Sequence, residues 1–214
     1  MQHPILYVAR HAETVFNRGA SMQGITAHTP LTREGCKQAD AMGEALAAHL
    51  GRNPDIDFWA SPSGRTLQTA AVIADHLGHD YFDIRTHDGL VEIGVGAWEG
   101  QRYEDIVAAQ GPIVDPARGL FTVRAPGGGE WYPEIAERLR GWLAALDPSR
   151  PAIAITHGIT ARVLRGMLVG GTPFEPGCVP LADGAPQGTV FRIENGREEA
   201  LHVGSGAAVM TKGF

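Results

Sequence analysis

The chain has 214 residues, of which 43% are hydrophobic and 20% charged, and its formal net charge is −6. This composition is typical of a folded globular protein, and the length predicts a single domain over residues 1–214. The acidic balance argues against a protein that coats nucleic acid or an anionic membrane, because both attract an excess of Lys and Arg.

Two further features bear on the compartment. Cys36 and Cys178 are too few for a disulfide framework, and we interpret them as reduced, buried thiols. No apolar run approaches the roughly 18 residues that a membrane helix needs. The first residues also lack the basic start of a signal peptide. These observations predict a cytoplasmic protein.

Strand and helix signals alternate along the chain. In the first part of the chain they predict a strand at 5–9, a loop at 10–30, a helix between the cap Thr32 and the stop Gly51, a strand at 56–60, and a helix at 64–77 capped from Ser61-Pro62-Ser63. In the middle they predict a strand at 81–85, a loop at 88–102, a helix at 103–110 and a surface excursion at 111–129. In the last part they predict a helix at 130–146, a strand at 152–156, a helix at 159–169, and antiparallel strands within 178–204 that turn at Asn195-Gly196.

This alternation predicts an α/β fold, a three-layer sandwich with a mostly parallel central sheet and helices on both faces. In such sheets, ligands bind beyond the carboxyl ends of the strands. Arg10 and His11 follow the first strand, and His157 follows the strand at 152–156. These strand ends are therefore the places where a functional site is expected.

The residue types near these ends suit the chemistry of a phosphoryl group. Arg10 and Arg65 offer planar donor forks that match phosphate oxygens. A neutral histidine such as His11 can attack phosphorus. A carboxylate, for which Glu92 in the glycine-rich loop is available, can protonate the leaving oxygen and then activate water. Each residue alone is weak evidence, and only their joint placement indicates a site.

The segment VARHAETVFN, residues 8–17, resembles the R-H-G-E-T/S-x-x-N signature of the histidine phosphatase superfamily, with Ala12 where that family usually has Gly. Further matching motifs follow in the family's order, and the resemblance spans residues 5–170. They are Gln23-Gly24, Pro30-Leu31-Thr32-x-x-Gly35, Ser61-Pro62-x-x-Arg65-Thr66, Leu90-x-Glu92-Ile93, Gly96-x-Trp98-Glu99-Gly100, Pro126-Gly127-Gly128 and Thr156-His157-Gly158.

The resemblance implies a phosphoglycerate-mutase-like fold and a role for each matching residue. His11 is expected to carry the phosphoryl group, and Glu92 to act as general acid and then as general base. Arg10, Arg65 and His157 are expected to bind the phosphoryl oxygens. The expected substrate-binding residues are Asn17, Gln23, Gly24 and Gly158. The family uses no metal for this chemistry, and we expect neither a metal nor a cofactor.

Three functions stay open at this stage: a phosphatase, a phosphoglycerate-type mutase and a phosphate-binding module without activity. The mutase branch typically has Asn-Glu-Arg-His-Tyr-Gly around the catalytic Glu, whereas residues 91–96 here read Val-Glu-Ile-Gly-Val-Gly. This difference favours a phosphatase. The expected partner is a small phosphorylated substrate, with no nucleic acid and no membrane, and a homodimer stays open. The sequence does not identify the substrate.

Overall fold

The computed structural model describes residues 3–174 and 179–206. The strands are β1 (Leu6–Arg10), β2 (Asp57–Ala60), β3 (Arg85–Thr86), β4 (Val114–Asp115), β5 (Leu120–Phe121), β6 (Ala152–Thr156), β7 (Thr172–Phe174), β8 (Val179–Leu181), β9 (Val190–Glu194) and β10 (Arg197–His202). The α-helices are α1 (Val15–Arg18), α2 (Arg33–Leu50), α3 (Gly64–Leu77), α4 (Tyr103–Gln110), α5 (Tyr132–Ala144) and α6 (Gly158–Val169).

A six-stranded sheet forms the centre of the described chain, with the order β10-β9-β1-β6-β2-β3. β1, β6, β2 and β3 are mutually parallel, whereas β9 and β10 form an antiparallel hairpin beside β1. Two small antiparallel pairs, β4-β5 and β7-β8, lie outside this sheet. The sheet is therefore mixed and mostly parallel, as the alternating pattern predicts.

Both faces of the central sheet are buried. Leu6 and Val8 of β1 belong to one apolar cluster, together with residues of α5 and α6. Tyr7 and Ala9 of the same strand belong to a second cluster, together with residues of α2 and α3. Because successive side chains of a strand point to opposite faces, one strand contributes to two cores. The three-layer α/β sandwich expected from the sequence is confirmed.

The register of β1 and β6 places the two predicted histidines together. Arg10 pairs with Thr156, so His11 and His157 leave the sheet side by side at the same edge. The His11 N–H donates to the Thr156 carbonyl at 2.9 Å. The two imidazole rings meet edge to face with centroids 5.2 Å apart. Parallel pairing of two sequence-distant strands is thus what assembles the site.

Several predicted boundaries are confirmed. α2 begins after Thr32, whose hydroxyl accepts from the Gly35 N–H, and it ends at Gly51. The helix predicted at 103–110 and the strand predicted at 152–156 have the bounds of α4 and β6. The turn between β9 and β10 has positive φ at both Asn195 and Gly196, as a tight hairpin of right-handed twist requires.

Two local predictions are wrong. Residues 10–30 are not entirely loop, since α1 lies within them, and a four-residue helix is too short to produce a periodic pattern. Residues 81–85 do not form a strand; Asp80 accepts from the Phe82 N–H and starts a 3₁₀ turn, which leaves only Arg85–Thr86 in the sheet. The helix predicted at 64–77 is confirmed as α3 with Ser63 at its N-cap position, although the Ser63 side chain makes no capping hydrogen bond.

Two predictions about surface and core also need correction. Residues 111–129 are not a surface excursion, because β5 carries Leu120 and Phe121 into the main core, where they are at most 2% exposed. The glycine-rich composition of this segment conceals these isolated apolar residues. Cys36 is a free thiol, but it is exposed rather than buried. Cys178 lies outside the described residues. Across the described ranges, no helix has both the length and the apolar character needed to cross a membrane.

Candidate active site

A cavity of about 400 Å³ opens where β1 and β6 end. Eight of the nine predicted site residues line it, and only His157 does not. The eight are Arg10, His11, Asn17, Gln23, Gly24, Arg65, Glu92 and Gly158. Residues from widely separated segments therefore meet around one space, as the sequence motifs predict.

His11 is held with one ring nitrogen available. It is 2% exposed, and its Nδ1 lies 2.8 Å from the Ala12 carbonyl oxygen. A carbonyl can only accept, so Nδ1 carries the proton and Nε2 keeps its lone pair. Burial, together with the positive charges of Arg10 and Arg65, holds the pKa of His11 well below its usual value. The imidazole is therefore neutral at physiological pH, which is the form that a nucleophile requires.

The backbone around His11 is fixed from three sides. Apart from the bond to Thr156, the Ala12 N–H donates to the Thr69 hydroxyl at 3.1 Å. The Gln187 side-chain amide donates to the His11 carbonyl at 3.0 Å. Gln187 is 2% exposed and comes from the loop before β9, which no motif in the sequence marks as part of the site. Its contribution is to hold the strand end that carries the histidine.

Arg10 and Glu92 flank the start of α6. A Cβ placed on Gly158 would lie 3.5 Å from both the Arg10 guanidinium carbon and Glu92 Oε2. The buried Arg10 Nε has no hydrogen-bond partner in the described part of the chain. Burial lowers the pKa of Arg10, although the Glu92 carboxylate opposes this shift. A cation with a buried, unused donor beside the cavity is suited to binding an anion.

The first turn of α6 orients the Glu92 carboxylate. Oε2 accepts from the Ile159 N–H at 3.3 Å, and Oε1 accepts from the Thr160 N–H at 3.2 Å. These backbone groups have no partner within the helix because they belong to its first turn. A glutamate from a distant loop thus takes a defined position beside the cavity.

Arg65 is 1% exposed and secures the loop that follows α1. Its Nη1 donates to the Thr26 carbonyl at 2.7 Å and its Nη2 to the Gly24 carbonyl at 2.8 Å. Burial lowers its pKa to about 10, so it stays charged at neutral pH. Arg65 therefore places a positive charge at the cavity while it holds the loop that carries Gln23 and Gly24.

His157 lies behind Arg65 rather than on the cavity wall. Its Nδ1 accepts from Arg65 Nε at 3.2 Å, so the proton is on Nε2, which is 2.8 Å from the Ser61 hydroxyl. Burial and the charge of Arg65 hold the pKa of His157 well below its usual value. In this arrangement both ring nitrogens have protein partners, and His157 supports the arginine and packs against His11.

Asn17 and Gln23 present amide donors to the cavity. Asn17 Oδ1 accepts from the Thr14 N–H at 3.0 Å, and Gln23 Oε1 accepts from the Thr29 hydroxyl at 2.8 Å. Because the oxygens are engaged, the amide nitrogens are left to donate to a ligand. Gly24 has a φ of +49°, and a Cβ there would lie 2.5 Å from the Val95 side chain, so this position requires glycine.

Arg138 is a supporting residue near Glu92 that the sequence motifs do not include. Arg138 forms a bidentate pair with Glu130 at 2.7 and 3.0 Å. It also donates to the Gly89 carbonyl at 2.6 Å and to the Thr160 hydroxyl at 3.3 Å. One side chain of α5 thereby joins the loop before Glu92 to the first turn of α6. No local sequence signal marks Arg138, because all its partners are distant in the chain except Glu130.

We expect Arg138→Gln to lower kcat by roughly tenfold or more with little change in KM, because small displacements of a catalytic group are costly. The loss should be larger for alkyl phosphates, whose leaving oxygen is expected to take a proton from Glu92, than for 4-nitrophenyl phosphate. Steady-state kinetics on both substrates measure this. Arg140→Gln is the matched control, since Arg140 is exposed and forms an ion pair with Glu137 on the same helix. Equal kcat values in the two variants would contradict the role of Arg138.

The two buried histidines predict a pH-dependent stability. Their pKa values lie well below 6.5 in the folded protein, so the unfolded chain binds more protons once the pH falls through about 6.5. Below that pH, each histidine should lower the free energy of unfolding by up to about 1.4 kcal/mol for each further unit by which the pH falls. Above pH 7.5, neither histidine should contribute to the pH dependence of the free energy of unfolding. Urea unfolding of wild type, His11→Asn and the exposed-site control His28→Asn at pH 7.5, 6.5 and 5.5 measures this slope. A slope unchanged in His11→Asn would show that His11 does not stay neutral in the folded state.

The described residues contain no group of three or more His, Cys, Asp or Glu side chains placed to hold a metal ion. A buried neutral histidine, the guanidinium groups of Arg10 and Arg65 and an oriented carboxylate lie around one cavity, and these residue types suit phosphoryl chemistry. Residues 6–204 match the histidine phosphatase superfamily (branch 1), and the chain belongs to this family.

Two curated relatives and one solved structure are similar to this chain. A probable phosphoglycerate mutase GpmB from Erwinia tasmaniensis is 32% identical over 173 residues, which cover 77% of this chain and 74% of the relative. Glucosyl-3-phosphoglycerate phosphatase from Mycobacterium tuberculosis is 29% identical over 164 residues, 72% of this chain and 70% of the relative. The native structure of a mycobacterial glucosyl-3-phosphoglycerate phosphatase superposes on this chain with a TM-score of 0.70 and is 24% identical in sequence. The superposition covers 95% of this chain and 99% of that structure, and it confirms the phosphoglycerate-mutase-like fold.

Proposed function

We propose that this protein hydrolyses a small phosphorylated metabolite through a phosphohistidine formed on His11 Nε2. The observation that carries the proposal is the hydrogen bond from His11 Nδ1 to the Ala12 carbonyl, which leaves an unprotonated nitrogen at the cavity wall. The cavity also holds the Arg10 and Arg65 charges and the Glu92 carboxyl group, which are the other components that phosphoryl transfer to a histidine needs.

In the first step, His11 Nε2 attacks phosphorus and the bond between phosphorus and the ester oxygen breaks. Glu92, in its protonated form, gives its proton to that oxygen, so that an alcohol leaves. Arg10 and Arg65 offset the negative charge on the three transferred oxygens, and the amides of Asn17 and Gln23 donate to them. The products of this step are the free alcohol, phosphohistidine and the Glu92 carboxylate.

In the second step, a water molecule attacks phosphorus on the side that the alcohol has left. The Glu92 carboxylate takes a proton from this water, and the bond between phosphorus and Nε2 breaks. Inorganic phosphate leaves, His11 is neutral again and Glu92 is protonated for the next turnover. One carboxyl group serves both steps because leaving group and water occupy the same position.

A mutase is the second candidate, because relatives named as probable phosphoglycerate mutase and as glucosyl-3-phosphoglycerate phosphatase are similar to this chain to nearly the same degree. Residues 91–96 favour hydrolysis, since they lack the Arg-His-Tyr that typically follows the catalytic Glu in the mutase branch. The two activities differ only in whether water or an organic hydroxyl accepts the phosphoryl group.

A panel of phosphomonoesters tests the proposal directly. Purified protein is assayed for phosphate release from alkyl, sugar and aryl phosphates, and in parallel for interconversion of 2- and 3-phosphoglycerate. We expect phosphate release from at least one ester and slower isomerisation than hydrolysis. Isomerisation without phosphate release would favour the mutase, and loss of both activities would favour a binding module.

Activity should be independent of added metal. Arginines surround the site where a metal-dependent phosphatase would use divalent cations to neutralise the phosphate charge. Preincubation with EDTA, followed by removal of the chelator and re-assay, should leave kcat unchanged within error. A metal-dependent phosphatase assayed in the same buffers is the control. Loss of activity that a single added metal restores would overturn this part of the proposal.

A further inference from the structure

The cavity extends beyond the phosphoryl end to a second arginine that the proposed mechanism does not use. Arg162 lies four residues after Gly158 on α6, which is one helical turn, or about 6 Å along the axis. Arg162 lines the same cavity and is only 5% exposed. The wall includes the apolar residues Ile159, Phe121 and Phe191. A ligand in this cavity thus has a charged end near His11, an apolar wall and a second charged point.

Arg162 is held in place by neutral acceptors. Its Nε donates to the Ala182 carbonyl at 3.0 Å, and its Nη1 donates to the Arg118 carbonyl at 2.8 Å. Within residues 3–174 and 179–206, Nη2 has no hydrogen-bond partner, and no carboxylate forms an ion pair with this guanidinium. The backbone contacts fix the orientation of the fork and leave one nitrogen with two N–H groups for a ligand.

The charge of Arg162 is not balanced locally. Burial, together with the nearby Arg118, lowers its pKa to about 10, despite the opposing charge of Asp183, so it is still protonated at neutral pH. Arg165 provides the contrast: it lines the same cavity, but Glu198 binds it through two hydrogen bonds of 2.8 and 2.9 Å. Buried cations are ordinarily paired, because desolvating an unpaired charge is expensive. An anionic ligand would supply the missing partner.

We propose that Arg162 binds a carboxylate of the substrate, so that the site prefers phosphomonoesters that also carry a carboxylate. A carboxylate fits better than a second phosphate, because its single negative charge matches the one free nitrogen of Arg162, and the nearby Arg118 is not part of the cavity wall. The short backbone of such an ester would lie along the apolar wall between the two charged ends. The inference rests on the proposed function, since it assumes that the phosphoryl group lies at His11.

The test compares esters matched in size. One pair is phosphoglycolate and 2-hydroxyethyl phosphate, and a longer pair is 3-phosphoglycerate and glycerol 3-phosphate; within each pair a hydroxymethyl group replaces the carboxylate. We expect wild type to show a kcat/KM about 10- to 100-fold higher for the carboxylate in at least one pair, the range of a charge-assisted hydrogen bond. Arg162→Gln should abolish this preference and leave the rate for the hydroxymethyl ester within about threefold. Arg165→Gln, whose charge is paired, is the matched control and should keep the preference.

The outcomes separate the inference from the proposed function. Equal rates within both pairs in wild type, or a preference that survives in Arg162→Gln, would overturn the role of Arg162 while hydrolysis itself stands. Absence of hydrolysis of all four esters would count against the proposed function. In that case calorimetry would measure the Kd of each ester, and tighter binding of the carboxylate that is lost in Arg162→Gln would support the role of Arg162. Circular dichroism checks folding. If Arg162→Gln does not fold, Arg162→Lys replaces it and should reduce the preference at least threefold.

Discussion

His11→Ala should lose the phosphoenzyme and lower kcat by at least about 10⁴, because removing the nucleophile of a covalent mechanism removes the whole pathway. The loss should appear on every phosphomonoester, since all of them pass through the same nitrogen. After mixing with a ³²P-labelled substrate and rapid quenching in alkali, wild type should carry label that acid releases, as expected for a phosphoramidate. His11→Ala should carry none.

Two controls make this result specific. His28→Ala removes an exposed histidine from the loop near Arg65 and should keep both the label and the activity. Free imidazole added to His11→Ala tests whether the vacated space accepts an external nucleophile. Acid-labile label that persists in His11→Ala at the wild-type level would place the phosphoryl group on another residue and disprove the assignment.

Glu92→Gln should lower kcat on alkyl phosphates by a factor of about 10² to 10⁴, the usual contribution of a general acid. The alkoxide of such an ester leaves poorly unless it is protonated, and His11 cannot supply a proton while it attacks. The Gln carbonyl oxygen can accept from only one of the Ile159 and Thr160 N–H groups, because the amide nitrogen that replaces the other carboxylate oxygen is a donor. The substitution therefore removes the proton and one of these two contacts, and the comparison of two substrates separates the two effects. The loss should be much smaller on 4-nitrophenyl phosphate, whose leaving group needs little protonation.

The matched control for this experiment is Glu13→Gln. Glu13 belongs to the signature segment, but its carboxylate accepts from the Thr32 hydroxyl at 2.5 Å and is not part of the cavity wall. Its substitution should therefore affect stability more than kcat. Equal losses of kcat on both substrates in Glu92→Gln would mean that Glu92 positions water or substrate. The substrate-dependent pattern appearing in Glu13→Gln instead would assign the proton transfer to Glu13.

Elements with strong local signals were predictable from the sequence. The strand at 152–156 is an unbroken apolar run, and α2 has both a capping threonine and a terminating glycine. In contrast, β3 has only two residues and lies at the sheet edge, where no pattern of alternating burial can develop. The core residues of β5, Leu120 and Phe121, lie in a segment that is rich in glycine and proline. Short elements depend on tertiary contacts rather than on their own periodicity, and local reasoning fails there.

The sequence by itself determined the α/β sandwich, the edge of the sheet at which the site lies, and the residue types that meet there, because each depends on local periodicity or on motif order. Only the tertiary structure decided how these residues are used. It shows that His157 supports Arg65 behind the cavity wall, that Arg138 connects the Glu92 loop to α6, and that Arg162 is buried without a charged partner in the described chain. The reason is physical: hydrogen-bond partners and burial arise from residues tens of positions apart, and a linear pattern contains no measure of their distance.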